Sequence, residues 1–206
     1  MNPREYGLKM INYSPSSERN KEPITAQLQQ VFANCHKVLE IGSGSGQHVI
    51  HFAEQLPHIT WQPADLSFYF PGLAENLSIR ASNILEPYHL SLTTVPWIPG
   101  VRYDGLFSAN TLHIMSWQQV IDFFQHAGQQ LAEDGVLCIY GPFKYQDEFT
   151  SPSNADFDGW LKNRDPLSGV RDFAAVNTLA TDNGFSFVND QPMPANNQLL
   201  VFKKTI

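Results

Sequence analysis

The stretch Val38–Gln47, VLEIGSGSGQ, sets three glycines within five residues directly after an apolar run that carries one glutamate. Val38, Leu39 and Ile41 suit a buried strand, and the QHVIHFAEQLP segment that follows has helical spacing and ends at Pro57, so the glycines occupy a strand-to-helix turn. Gly42, Gly44 and Gly46 tolerate positive φ and carry no side chain, which lets a bound molecule approach the backbone and face the amides that open the next helix. Glu40 stands where it can receive an ammonium or hydroxyl group from the same ligand. The alternative is a tight turn with no ligand at all.

Further segments alternate in the same manner. ITWQPAD reads as a strand ending in Asp65, PGLAENLSIRASN as a helix, and HLSLTT and YDGLFSAN as strands. SWQQVIDFFQHAGQQLAEDG reads as a long amphipathic helix capped by Ser116, with Gly135 beyond its end, and VLCIYGPF as the next strand. RDFAAVNTLATDNG reads as a helix, whereas FSFVNDQPM and QLLVFKK are joined by too short a turn for a helical crossover and predict an antiparallel hairpin at a sheet edge. The fold class is therefore α/β, a mostly parallel sheet with helices on both faces. Residues 1–20 are polar, with two prolines and a serine cluster, and predict a flexible arm before a helix over EPITAQLQQVFANC; residues 21–206 predict a single domain.

Composition narrows the partners. The formal charge is −7, from 13 basic and 20 acidic residues, with no basic block, which disfavours nucleic acid. Two cysteines far apart argue against a disulfide framework, and no apolar run has membrane-spanning length, so a cytoplasmic protein with no membrane contact is expected. His48 and His51 stand three residues apart without a third ligand in register, so no metal is expected.

The glycine spacing does not follow G-x-G-x-x-G, because the third position counted from Gly42 is Gln47. It follows the E-x-G-x-G-x-G pattern of S-adenosylmethionine sites, and the terminal hairpin agrees with that. Over nearly the whole chain, RNKEPI, VLEIGSGSGQH, WQPAD, SANTLHIMSW, YGPFK, FTSPSNADFD, RDPLSGVRD and MPANNQLLVF occur in this order. Together they resemble an uncharacterised family of class I methyltransferase-like proteins that includes animal methyltransferase-like protein 26. The resemblance implies a Rossmann-like seven-stranded class I methyltransferase sheet and S-adenosylmethionine as cofactor. Under it, Glu40 faces the amino group of the methionine part, and Gly42, Ser43, Gly44 and Gly46 pass beneath it. Asp65 takes the ribose hydroxyls. Leu90-Ser91-Leu92 stands where the family often has Leu-Asp-Val, so Ser91 accepts from adenine without charge, next to Leu92. Asn110 lies where the cofactor and substrate pockets meet.

Methyl transfer from a sulfonium is mainly a matter of alignment, with a base where the acceptor carries a proton. His113, in the loop after a strand, is the candidate base, against a merely packed histidine. The segment Lys144–Asp172 shows no helical period and is expected, within 142–172, to cover the active site. It brings Asn154, Asp156, Arg164, Asp165, Arg171 and Asp172 beside Tyr140 and Phe149. The arginines could hold an acidic substrate, or pair with the aspartates to support the loop. Arg19, Asn20 and Lys21 could close over the cofactor or simply open a helix. The expected catalytic set is His113, Asn110, Tyr140, Asn154 and Arg164, acting on a small molecule. A non-catalytic cofactor-binding or interaction protein is the competing reading.

Overall fold

Strand burial follows the apolar pattern. Val38, Leu39, Glu40 and Ile41 are all buried in β1 (Lys37–Ile41), and β2 (Thr60–Asp65) is buried from Trp61 to Asp65, as strands covered on both faces must be. The computed structural model describes residues 10–90 and 97–205. The chain divides after Ser91 into two compact units.

The first unit holds α1 (Pro15–Val31), β1, α2 (Gln47–Gln55), β2, α3 (Phe70–Asn76) and β3 (Tyr88–His89). β1 pairs with β2, and β2 with β3, both parallel. Helix α1 starts earlier than its apolar spacing suggests. Ser14 caps it by accepting from the Ser17 amide at 3.2 Å, and Pro15 opens it, so residues 15–20 are helical rather than part of an arm and Pro23 lies inside the helix. Of Ile24, Leu28, Val31 and Phe32, which the spacing predicts on one face, Ile24, Leu28 and the capping Phe32 are buried and Val31 is half-buried.

The second unit holds β4 (Tyr103–Ala109), α4 (Trp117–Gln130), β5 (Leu131–Gly141), β6 (Phe143–Tyr145), β7 (Glu148–Phe149), α5 (Pro152–Arg164), β8 (Arg171–Asp172), α6 (Phe173–Asp182), β9 (Phe185–Met193) and β10 (Asn197–Lys204). Ser116 and Gln119 cap α4 reciprocally. The helix ends at Gln130, short of the expected LAEDG; the strand begins there, and Asp134, with φ 62°, takes the left-handed position instead of Gly135. β4 and β5 are parallel, while β10 is antiparallel to both β5 and β9, which is the expected hairpin. The seven-stranded sheet runs β3-β2-β1-β4-β5-β10-β9, with helices around it. A small sheet, β7-β6-β8, lies within residues 142–172, the segment that shows no helical period in the sequence.

That segment also contains α5. Its buried positions are Asn154, Asp158 and Leu161, spaced four and three apart. Two of the three are polar, so no apolar period announces the helix. No helix among the described residues is long and apolar enough to cross a membrane.

Candidate functional site

In the first unit the glycines turn the chain from β1 into α2 through left-handed conformations, with φ 77° at Gly42, 57° at Gly44 and 83° at Gly46. A Cβ on Gly44 would meet no atom of the described residues within 4 Å, whereas one on Gly46 would press on Leu73 and Leu77 at 3.3 Å. Gly44 thus faces open space and Gly46 faces packing. Ser43 ties the turn down: its hydroxyl accepts from the Ala64 amide at 3.1 Å and donates to the Glu40 carbonyl at 3.3 Å.

Glu40 is fully enclosed, and its Oε2 has no hydrogen-bond partner among the described residues. Burial, opposed by Ser43 and reinforced by the charge of Asp65, pushes its carboxyl group up to about 7. A buried carboxylate oxygen without a donor is costly, so this one suits a donor brought by a ligand. Asp65 accepts from the Gly44 amide at 2.6 Å through one oxygen and from the Leu66 amide at 2.7 Å through the other. Burial raises its carboxyl group and these two amides pull it back. Asp65 therefore holds the glycine turn itself, with lone pairs left for further donors. Ser91 and Leu92 lie outside the described residues.

The start of α1 is fastened to the same turn. Gln47 Oε1 accepts from the Ser14 amide at 2.7 Å and the Ser45 hydroxyl at 2.9 Å, and its amide donates to Glu18 at 3.2 Å. Asn76 donates to the Ile11 and Ser45 carbonyls, both at 2.9 Å. Asn20 meets His48 Nε2 at 2.7 Å, while Arg19 turns back to Ser16 and Lys21 pairs with Glu18. Of the three residues singled out in the sequence, Asn20 is the one that bonds to α2. The described residues hold no group of three or more His, Cys, Asp or Glu suited to a metal ion.

In the second unit Asn110 follows β4 in a left-handed conformation, φ 58°, with its amide on the Tyr140 carbonyl at 2.8 Å. Asparagine tolerates that geometry where most residues do not. Tyr140 is buried on β5. His113 is buried with its ring edge-on to Phe157 at 5.2 Å, and a Cβ on Gly141 would lie 3.7 Å from its Nδ1. Burial, with the charge of Arg171 adding, lowers the imidazole to about 4, so it is uncharged at neutral pH.

The remaining polar residues separate. Asn154 donates to Thr150 and to the Asn196 carbonyl, both at 2.9 Å, tying α5 to the β9–β10 turn. Arg164 is exposed over the Trp160 ring, 5.1 Å from its centroid. Asp156 is exposed too, and the buried carboxylate of α5 is Asp158, which accepts from the Val170 amide at 2.8 Å and pairs with Lys162 at 2.6 Å. Asp165 accepts from the Leu167 amide, and Asp172 caps α6. Arg171 donates to the carbonyls of Leu112, Met115 and Leu167. Among the described residues the arginines thus form neither of the two arrangements open to them, a shared anion clamp or ion pairs with aspartate. Asp158 was within reach of the sequence, since Asn154, Asp158 and Leu161 share a helical face; the use of Arg171 as a donor to backbone was not.

The family model described as "Protein of unknown function (DUF938)" matches residues 11–204. The chain belongs to the DUF938 family. Several solved structures share the fold of this DUF938 chain. An O-methyltransferase family protein from Burkholderia thailandensis aligns at TM-score 0.78 and 17% identity, over 90% of this chain and 56% of its own. An O-methyltransferase family 2 protein from Planctomyces limnophilus DSM 3776, solved in complex with apigenin, aligns at 0.75 and 16%, over 100% and 62%. Human N-acetylserotonin methyltransferase, solved in complex with SAM, aligns at 0.71 and 13%, over 98% and 62%. The DUF938 chain thus spans less than two thirds of the length of these proteins, and at such identities the likeness establishes the methyltransferase fold.

Proposed function

We propose that the chain is an S-adenosylmethionine-dependent methyltransferase for a small molecule, within the branch that includes methyltransferase-like protein 26. The observation that carries this reading is Glu40, a buried carboxylate with one unbonded oxygen at the head of a glycine turn that leaves open space at Gly44. An ammonium donor satisfies that oxygen, and a ligand running beneath the turn fills that space, so the residues fit a cofactor bearing an amino-acid end. The SAM bound in the human structural relative agrees with this.

In this reading Glu40, Gly42, Ser43 and Gly44 hold the methionine part, with Gly46 packed behind them. Asp65 receives the ribose hydroxyls while keeping its bonds to the turn. S-adenosylmethionine, when bound, supplies a methyl group already activated by its positive sulfur. Asn110 and His113 orient the acceptor. An imidazole lowered to about 4 is a weak base, so His113 serves better as a neutral acceptor of a hydroxyl hydrogen bond than as a strong proton abstractor. Tyr140 and Asn154 support that loop and α5. Arg164, exposed over Trp160, drops to a peripheral contact. Arg171 spends its donors on backbone carbonyls, which favours an acceptor without a carboxylate or phosphate.

Calorimetry with S-adenosylmethionine and S-adenosylhomocysteine tests the cofactor, and transfer of labelled methyl into metabolite pools tests turnover. Gly44→Val fills the open space and strains a left-handed position, so it is expected to abolish binding while the far-ultraviolet dichroism stays near wild type. Unchanged affinity in the variant would remove the cofactor from this turn. Binding without turnover would favour the non-catalytic reading.

A further inference from the structure

The carbonyls around His113 are held by one short stretch of chain. The Gly169 amide donates to the His113 carbonyl at 2.8 Å. Arg171 Nε donates to the Leu112 carbonyl at 3.1 Å, and its Nη2 donates to the carbonyls of Met115 and, at 3.0 Å, Leu167. Its guanidinium also lies 5.9 Å from the centre of the Trp117 ring, where α4 begins. Three carbonyls of residues 112–115 therefore answer to donors at residues 169 and 171. The stretch is itself fixed by α5, since Asp158 accepts from the Val170 amide and a Cβ on Gly169 would stand 3.0 Å from its Oδ1.

We propose that Arg171 is the positioning residue of the site: its planar fork sets the loop between β4 and α4 so that His113 is presented in one orientation between Phe157 and Gly141. The inference deepens the methyltransferase reading by assigning a residue that acts through His113. Three details favour positioning over simple cohesion. The bonds fall on both sides of His113 in sequence. They go to carbonyls, which a guanidinium meets with donors fixed in a rigid planar fork, whereas an ammonium carries rotatable donors on a flexible stem. And Arg171 is the charged group that bears on the His113 imidazole. The other charged groups packed against this stretch are Asp158, which bears on Arg171, and its partner Lys162.

Two variants of the full chain separate fork from charge. Arg171→Gln keeps amide donors and loses the charge; Arg171→Lys keeps the charge and loses the fork. Histidine carbon-13 spectra, with His113 assigned from His113→Gln, give its titration midpoint, and hydrogen exchange reports the amides of Ile114 and Gly169. Arg171→Gln is expected to move the His113 midpoint upward. Arg171→Lys is expected to leave the midpoint near wild type but to speed exchange at Ile114 and Gly169 about tenfold or more, as for loss of a hydrogen bond from a charged group. A His113 midpoint unmoved in Arg171→Gln, or exchange in Arg171→Lys that is unchanged or rises equally in α6 and β10, would overturn the proposal. If Arg171→Gln does not fold, the exchange pattern of Arg171→Lys decides it alone. None of these readouts involves the cofactor, so failure of S-adenosylmethionine binding in the wild-type chain would be seen separately.

Discussion

Glu40 is where the geometry of the turn becomes thermodynamics. Its carboxyl group, pushed up to about 7 by burial, keeps its proton in the folded chain at pH values where the unfolded chain has released it near 4.5. The folded state then binds more protons across that window, so this contribution to stability is full below about 4.5 and is lost as pH rises through 7. The difference is on the order of 3 kcal/mol for a shift of that size. Glu40→Gln removes it. Without cofactor, the variant is expected to lose less stability between pH 5 and pH 8 than the wild type in urea unfolding, and to bind S-adenosylmethionine more weakly at pH 8. Parallel losses in the two proteins would mean that Glu40 ionises in the fold as it does in water. The position of Glu40 was legible in the sequence because strand, glutamate and glycines follow one another. Its unbonded oxygen was not, since that depends on what Ser43 and Asp65 do with their own groups. The same holds for Arg171 and Arg164, which are alike as letters: one is consumed by backbone carbonyls and the other lies over a tryptophan.

At the scale of elements, legibility followed the chemistry of the buried face. Helices α4 and α6 and strands β1, β2 and β4 bury mainly apolar side chains, and each could be read from its spacing; α2, readable too, buries Val49, Phe52 and Ala53 together with Gln47, His48 and His51. Helix α5 buries an asparagine and an aspartate, so its sequence looks like loop; its signals were the cap at Ser151, the proline at its first turn and the basic residues of its last. Helix α1 was shortened for a related reason: Pro23 suggested a start, while the true cap lay nine residues earlier at Ser14. The turn between β9 and β10 was legible as a turn but not as a strained one. Ala195 and Asn196 both take φ 58°. Asparagine tolerates this, but for alanine the left-handed region costs roughly 1–2 kcal/mol. Ala195 is exposed, so Ala195→Gly removes that strain without opening a cavity, at the cost of a more flexible unfolded chain. The variant is expected to be more stable by about 0.5–1 kcal/mol, seen as a higher urea midpoint with unchanged slope. A lower midpoint would mean that Ala195 is relaxed in this turn.

For the whole molecule, alternation of strands and helices with a closing hairpin was enough to give the sheet, because the crossover rules leave few arrangements of such a chain. It could not give the balance of buried ionisable groups, which come together from distant segments. His48, stacked on Phe52 and bonded to Asn20, and His113, beside Phe157, are both lowered to about 4, in each case chiefly by burial. Their sign is opposite to that of Glu40. The unfolded chain takes up these protons near 6.5 and the folded chain resists them, so each contribution is full above about 6.5 and is lost as pH falls through 4, on the order of 3 kcal/mol apiece. Glu40 gains back part of this over the overlapping window, and Asp65, whose carboxyl group is also raised, acts in the same direction. Acid unfolding should therefore be driven by His48 and His113, with His51 lowered by burial in the same direction and Glu18 held low by Lys21, against Glu40 and Asp65. His113→Gln and His48→Gln, measured without cofactor by urea unfolding at pH 4.5 and pH 7, should each lose less stability on acidification than the wild type. The double variant should lose less than either. Equal acid sensitivity in all four proteins would mean that neither imidazole is held neutral by the fold, and the neutral role given to His113 toward an acceptor would fall with it.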